Sequence, residues 1–245
     1  MERTRIRPPG SYPPGGVTVK AAGGRLAGAA AGGGLLGGLA MIVLLILYMG
    51  TGGMGYATPF NIALAAWVFP IRPPSAMMPM LAKAMMPMAS THPALMHAMV
   101  ALKSGHASNA TVATLMSHMP AALRAVVLTH MPIVPVHSAV GLILHFAFAI
   151  GMGFAFTAIL AGLVWLRLPG VRNPAGLITA SVIGGGLLFL IMDYGILPLL
   201  NPVMANAPQI AFLGAHLAYG LGVGVVLAAV LFRGGLIKAF QPRSR

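Results

Sequence analysis

The chain has 245 residues, of which 58% are hydrophobic and only 7% are charged. A soluble domain normally has about 25% charged residues and a disordered chain has low hydrophobicity, so disorder is excluded and a soluble globule almost so. The composition predicts a polytopic membrane protein.

The net charge is +13, because the chain has 15 Lys and Arg residues and only two acidic residues, Glu2 and Asp193. In a membrane protein such bases set topology, so the expected surroundings are a lipid bilayer and no nucleic acid. A chain with so few carboxylates is not expected to carry out paired-carboxylate hydrolysis, and the absence of cysteine excludes thiolate metal sites. No zinc-protease, Walker or nucleophile-elbow motif occurs, so we do not expect an enzyme.

Apolar segments long enough to cross about 30 Å of hydrocarbon predict the architecture, an all-α bundle of four transmembrane helices. A basic, Pro/Gly-rich tail covers residues 1–24, and a shorter basic tail covers 233–245. The predicted spans between these tails are residues 25–50, 138–166, 175–200 and 210–232. Tyr56–Ile71 is short for a crossing, and we interpret it as a re-entrant or interfacial helix.

The distribution of basic residues predicts how the spans are oriented. Only Arg72, Lys83, Lys103 and Arg124 lie within residues 51–137, whereas the other bases lie at the two tails and in the 167–174 turn. The positive-inside rule then predicts that both termini lie in the cytoplasm. The heavy use of Gly, Ala and Pro suggests a bacterial protein, so the expected location is a bacterial inner membrane. Residues 51–137 are expected to form a Met/His-rich, helical, extracytoplasmic insertion.

Local signals divide part of this insertion into short helices. Thr91-His92-Pro93 is a start signal, and Ser104-Gly105 is a stop signal. Ser108 or Asn109 is placed to cap a second helix that runs to His118. Pro120 is placed to begin a third, which Pro132 and Pro135 would end.

Methionine and histidine concentrate in the same insertion. Most of the 18 methionines lie in residues 75–131, where Ala76-Met-Met-Pro-Met80 recurs as Ala84-Met-Met-Pro-Met88. Thioethers and imidazoles suit Cu(I), while methionine is also an adaptable apolar filler and is common at partner-binding surfaces. The candidate copper ligands are Met77, Met78, Met80, Met85, Met86, Met88, His92, Met96 and His97.

A second candidate site lies inside the predicted spans. His145, Asp193 and His216 each lie six or seven residues from the same predicted end of their spans, roughly 9–10 Å deep. Ionisable groups at such depth indicate function by default. The three side chains are candidate ligands for a divalent metal, and the two histidines are candidate haem ligands. A hydrogen-bonded clasp between helices and a proton or solute pathway are the alternatives.

Glycine steps of four residues predict close helix packing. They comprise Gly24, Gly28 and Gly32 in the first span, with Gly33–Gly37 and Gly34–Gly38 beside them, and Gly220 and Gly224 in the fourth. These glycines are expected either to pack inside the bundle or to dock onto a partner protein.

The second and fourth spans share one pattern, in which a histidine is followed by small residues and glycines. The stretches are His145-Phe-Ala-Phe-Ala-Ile-Gly-Met-Gly and His216-Leu-Ala-Tyr-Gly-Leu-Gly-Val-Gly. With the Gly-rich first span, this pattern resembles four-helix bacterial inner-membrane families of unknown function, over residues 25–60 and 138–232. The resemblance implies the four-span fold, and it implies no activity.

Two functions of different classes follow from these patterns. The first is an accessory or structural subunit of a larger membrane complex, respiratory or photosynthetic, which binds other membrane subunits. The second is a metal-binding membrane protein, with copper in the Met/His-rich insertion, or with copper or haem at a site of His145, His216 and Asp193.

Overall fold

The structure of the chain, a computed structural model, describes residues 19–51, 78–104, 106, 108–120, 123, 135–200 and 209–233. These residues form helices, with no strand among them. Four helical segments are long and apolar enough to cross a membrane: Ala21–Thr51, Ala139–Trp165, Pro174–Ile196 and Gln209–Arg233. The four predicted spans are confirmed, and the chain is a multi-pass membrane protein.

The first helix, α1 (Val19–Thr51), begins earlier than the sequence predicts. The predicted basic tail reaches residue 24, but residues 19–24 are already helical. Ala21 and Ala22 are strong helix formers, and the neighbouring Lys20 and Arg25 are tolerated in a helix, since charge does not prevent helix formation. The charged residues therefore mark the edge of the apolar stretch rather than the start of the helix.

The second and third spans are joined by a short turn. Helix α5 (Pro135–Trp165) is followed by a 3₁₀ turn at Pro169–Val171 and then by α6 (Pro174–Ile191). Asn173 caps α6, because its side chain accepts a hydrogen bond of 2.8 Å from the Gly176 amide.

The third span changes its winding near its end. Helix α6 passes into a π-helical turn, Met192–Ile196, and then into α7 (Leu197–Leu200). In this turn the Leu197 amide donates to the Met192 carbonyl, five residues back. Pro198 follows and has no amide proton to continue an α-helical ladder. π-Turns of this kind often lie at functional sites.

Helix α8 (Gln209–Ala228), which ends in a π-turn at Ala229–Arg233, lies at the centre of the bundle. It packs against α1 on one side and α6 on the other, and α1 also packs against α5. A Cβ at Gly185 would meet the His216 carbonyl oxygen, and one at Gly220 would meet the Ser181 carbonyl oxygen. The two helices therefore approach backbone to backbone, and the Ser181 hydroxyl donates to the Gly220 carbonyl at 2.7 Å.

Three short helices lie between α1 and α5 in the chain, and we call them the cap: α2 (Met78–Ala89), α3 (Pro93–Lys103) and α4 (Asn109–His118). His92 is the N-cap residue of α3, and Ser108 caps α4 by accepting a hydrogen bond of 3.2 Å from the Thr111 amide. The predicted bounds of these two helices are confirmed. Tyr56–Ile71 and almost all of the helix predicted from Pro120 lie outside the described residues.

The cap has a small core of its own and also touches the bundle. Its core contains buried residues of α2, α3 and α4, together with Met119: Leu81, Met85, Ala89, Leu95, Ala98, Leu115 and Met119. Val112 and Met116 of α4 instead belong to the same continuous core as Leu45 and Met49 of α1. The cap therefore lies over the end of the bundle at which α1 ends.

Candidate functional site in the membrane bundle

All four spans contribute to one small cavity, which we call the His–Met cavity. Its volume is about 50 Å³, and it lies on the side of the bundle nearer the cap. The lining residues come from α1, α5, the α6–α7 segment and α8: Met41, Leu45, His145, Phe148, Ala149, Met152, Leu188, Met192, Leu197, Phe212, His216 and Tyr219. The structure thus brings His145 and His216 to one place.

His145 projects from α5 towards α1. Its Nε2 lies 3.3 Å from the Gly38 carbonyl oxygen, and a carbonyl only accepts, so Nε2–H is the donor. A Cβ at Gly38 would lie 3.5 Å from that nitrogen but only 2.9 Å from the Cβ of Ala149, so the glycine lets α1 and α5 approach closely beside the ring. In the neutral imidazole, Nδ1 then carries the free lone pair.

His216 is buried, with 4% of its surface exposed. Its Nδ1–H donates to the Phe212 carbonyl, one helical turn earlier, at 2.7 Å. The ring lies edge-on to Phe189 and is tilted against Phe212. This hydrogen bond fixes the neutral ring in one tautomer, in which Nε2 carries the lone pair. A backbone carbonyl orients metal-binding histidines in the same way.

Tyr219 fastens the fourth span to the second on the wall of the cavity. Its hydroxyl donates to the Ala149 carbonyl at 2.6 Å, and its ring meets Phe156 edge-on. Tyr194, by contrast, is 60% exposed and does not line the cavity. The polar groups of the wall are therefore the two imidazoles and a phenol that is already bonded.

The cavity also contains side chains that the sequence analysis did not select. Met41, Met152 and Met192 bring three thioethers from three spans. One signal was available, because Met152 lies seven residues after His145, two helical turns along the same face. The other two methionines could not be assigned without knowing which face of each helix looks inward.

Asp193 does not join the two histidines in the arrangement that the sequence predicts. It is buried, with 6% exposed, yet it does not line the cavity. Among the described residues its Oδ1 has no hydrogen-bond partner. Met192, on the same face as Leu188, lines the cavity, and the adjacent Asp193 lies on another face of the helix. Within the described ranges, no three His, Cys, Asp or Glu side chains form a group that could hold a metal ion.

The size of the cavity decides which of the candidate bound groups, a single metal ion or a haem, can occupy it. A water molecule needs about 10–15 Å³ of such space, so about 50 Å³ holds a few water-sized particles. That space fits a single ion with its ligands. A porphyrin is too large for this cavity. His145 and His216 therefore do not suit the haem for which the sequence made them candidate ligands.

The candidate copper ligands of the cap do not lie together. Met85 is fully buried, and Met80, Met86 and Met96 are exposed. Met78 and Met88 are partly buried against the core of the cap, and His92 and His97 lie on its surface. Met77 lies outside the described residues. The methionines of α2 thus divide between the cap core and its surface.

The glycines predicted to pack closely differ in their contacts. Gly220 and Gly224 lie against α6, whereas Gly24 and Gly28 have no neighbour within 4 Å of a Cβ built on them. Gly32 only reaches Val226, at 4.0 Å. The tight contacts of α1 are made instead by its other set, Gly33, Gly34, Gly37 and Gly38.

Comparisons with protein-family models, with curated protein sequences and with solved structures return no match for this chain.

Proposed function

We propose that the chain is a metal-binding membrane protein whose His–Met cavity holds one soft monovalent cation of the Cu(I) class. The observation that carries this proposal is that two imidazoles and three thioethers line a single small cavity between four spans. Thioether and imidazole together are the ligand types that Cu(I) prefers over harder ions. The carbonyl-bound Nδ1 of His216 supports a ring held ready for a ligand at Nε2.

Copper titration of the purified protein tests this proposal. The protein is prepared in mild detergent without a polyhistidine tag and titrated with Cu(I), under anaerobic conditions, against a coloured chelator. We expect one tightly held ion per chain, and His216→Ala or Met192→Leu should weaken its affinity at least about tenfold.

Met49→Leu is the matched control, because Met49 is a buried methionine of α1 that does not line the cavity. This variant should bind like the wild type. No ion held at saturating Cu(I), or affinity that is the same in all variants, contradicts the proposal.

A second candidate function is the accessory subunit, and the open glycines of α1 favour it. Gly24 and Gly28 are exposed, and a Cβ on either would meet nothing within 4 Å. A bare helix surface of this kind lets another helix approach closely in lipid. The partner would be a helix of another membrane subunit, in a respiratory or photosynthetic complex.

Native gel electrophoresis of gently solubilised membranes tests the second candidate. Gly24→Leu and Gly28→Leu should release the chain from a fixed assembly, while Gly162→Leu, at another open glycine, should not. A chain that migrates alone in every variant contradicts a subunit role.

The orientation belongs to the same proposal. The basic tails support a bacterial inner-membrane protein with cytoplasmic termini and an extracytoplasmic cap. The resemblance to four-helix bacterial inner-membrane families supports the same type of membrane. A reporter enzyme that works only in the cytoplasm should be active when it is fused to the carboxy-terminus. A fused reporter that works only in the periplasm should be inactive, and its activity would contradict the orientation.

A further inference from the structure

The cap contains a pair of histidines that the His–Met cavity does not use. His92 precedes α3, and His118 is the last residue of α4. The two helices are joined by a short connection and pack against each other. The start of α3 therefore returns to the end of α4, and the two imidazoles meet although they are far apart in the sequence.

The distance between the two rings is close to that of two imidazoles bound to one ion. The ring centres are 5.4 Å apart, and the ring planes are inclined by 51°. Two imidazoles on one tetrahedral Zn(II), with Zn–N bonds of about 2.0–2.1 Å, place their ring centres roughly 5 Å apart.

The orientation of His118 is fixed by the end of its own helix. Its Nδ1–H donates to the Thr114 carbonyl at 2.9 Å, and the Ser117 hydroxyl lies 3.2 Å from the same nitrogen. In the neutral ring, Nε2 then carries the lone pair. A backbone carbonyl behind the ring is the arrangement that orients metal-binding histidines and makes them more basic.

We propose that His92 and His118 form a two-imidazole site for a borderline divalent cation, Zn(II) or Cu(II), on the surface of the cap. His92 is exposed and His118 is only partly buried, so water can complete the coordination. No carboxylate competes for the ion in the described part of the cap, since the acids of the chain are Glu2 and Asp193. This site is separate from the His–Met cavity in position and in metal class.

Electron paramagnetic resonance of the full-length protein with Cu(II) tests this proposal. The untagged protein, in detergent, is titrated with Cu(II) and then competed with Zn(II). We expect one bound ion per chain, with hyperfine coupling to two nitrogens, and we expect only a large excess of Zn(II) to displace it. His92→Ala and His118→Ala should each weaken the affinity at least about tenfold.

Two controls make the result specific to this pair. His97→Ala removes another exposed histidine of α3, and His106→Ala removes one between α3 and α4; both should bind like the wild type. His216→Ala should leave Cu(II) binding at His92 and His118 unchanged. A failure of this proposal can therefore be told apart from a failure of the proposed His–Met site. Unchanged helicity in circular dichroism verifies that each variant is folded. An unchanged Cu(II) affinity in the folded His92→Ala/His118→Ala double variant overturns the proposal.

Discussion

Histidine and methionine occur both in the bundle and in the cap, but the two regions place them differently. In the bundle, His216 and Met192 lie in one cavity between tightly packed spans. In the cap, Met85 fills an apolar core, whereas His92 is on the surface. The same residue types thus form a soft-ligand cavity in one region, and in the other they separate into packing and surface roles.

The two regions also differ in how their helices hold together. The bundle relies on backbone contact at glycines and on hydrogen bonds such as Ser181 to Gly220, because lipid is as apolar as the side chains and gives little hydrophobic drive. The cap relies on side chains that fill a core between short helices. Large-to-small substitutions should therefore damage the cap, and small-to-large substitutions should damage the bundle.

The largest expected effect is on the cap. Met85→Ala removes a fully buried side chain, and such substitutions typically cost about 2–5 kcal/mol. Hydrogen exchange should rise throughout residues 78–119 and stay unchanged in α8. Met86→Ala is the control, since Met86 lies next to it and is 51% exposed. Equal exchange in both variants would mean that the cap has no cooperative core.

A smaller effect is expected when a side chain is added inside the bundle. Gly220→Ala presses a methyl group against the Ser181 carbonyl, and overpacking of this kind costs about 1–3 kcal/mol. Thermal unfolding in detergent measures the loss. Gly151→Ala adds the same methyl group in open space and should be neutral or slightly stabilising. If both variants unfold like the wild type, the backbones of α6 and α8 do not meet at Gly220 and Ser181.

The smallest effect concerns one hydrogen bond between spans. Ser181→Ala removes the donor to the Gly220 carbonyl, and hydrogen bonds between membrane helices contribute about 0.6 kcal/mol on average. The same unfolding assay should therefore detect a shift well below that of Gly220→Ala. A larger loss from Ser181→Ala would make polar contacts, rather than close glycine packing, the main link between these two spans.

The sequence was enough to predict the four spans, because a long apolar stretch is a strong signal by itself. It also predicted that His145 and His216 lie at one depth, and the structure places both on one cavity. Depth follows from counting residues along a helix. Which way each helix faces does not, because rotation about the axis is set by packing against its neighbours.

The details that the sequence did not predict depend on that rotation. Asp193 was expected beside the histidines, but its neighbour Met192 is the residue of this turn that lines the cavity. The first span offers several glycine steps, and only packing decides that Gly34 and Gly38 are used while Gly24 is left open. Met41 and Met192 were hidden for the same reason, among 18 methionines in an apolar chain.

X-ray absorption spectroscopy of the Cu(I)-loaded protein tests the central claim, a single cavity with both ligand types, most directly. The expected spectrum contains sulfur and nitrogen neighbours around one copper ion. Met192→Leu should reduce the sulfur contribution, and His216→Ala should reduce the nitrogen contribution. A spectrum with only one type of neighbour, or one that neither substitution changes, contradicts a copper site formed by these four spans.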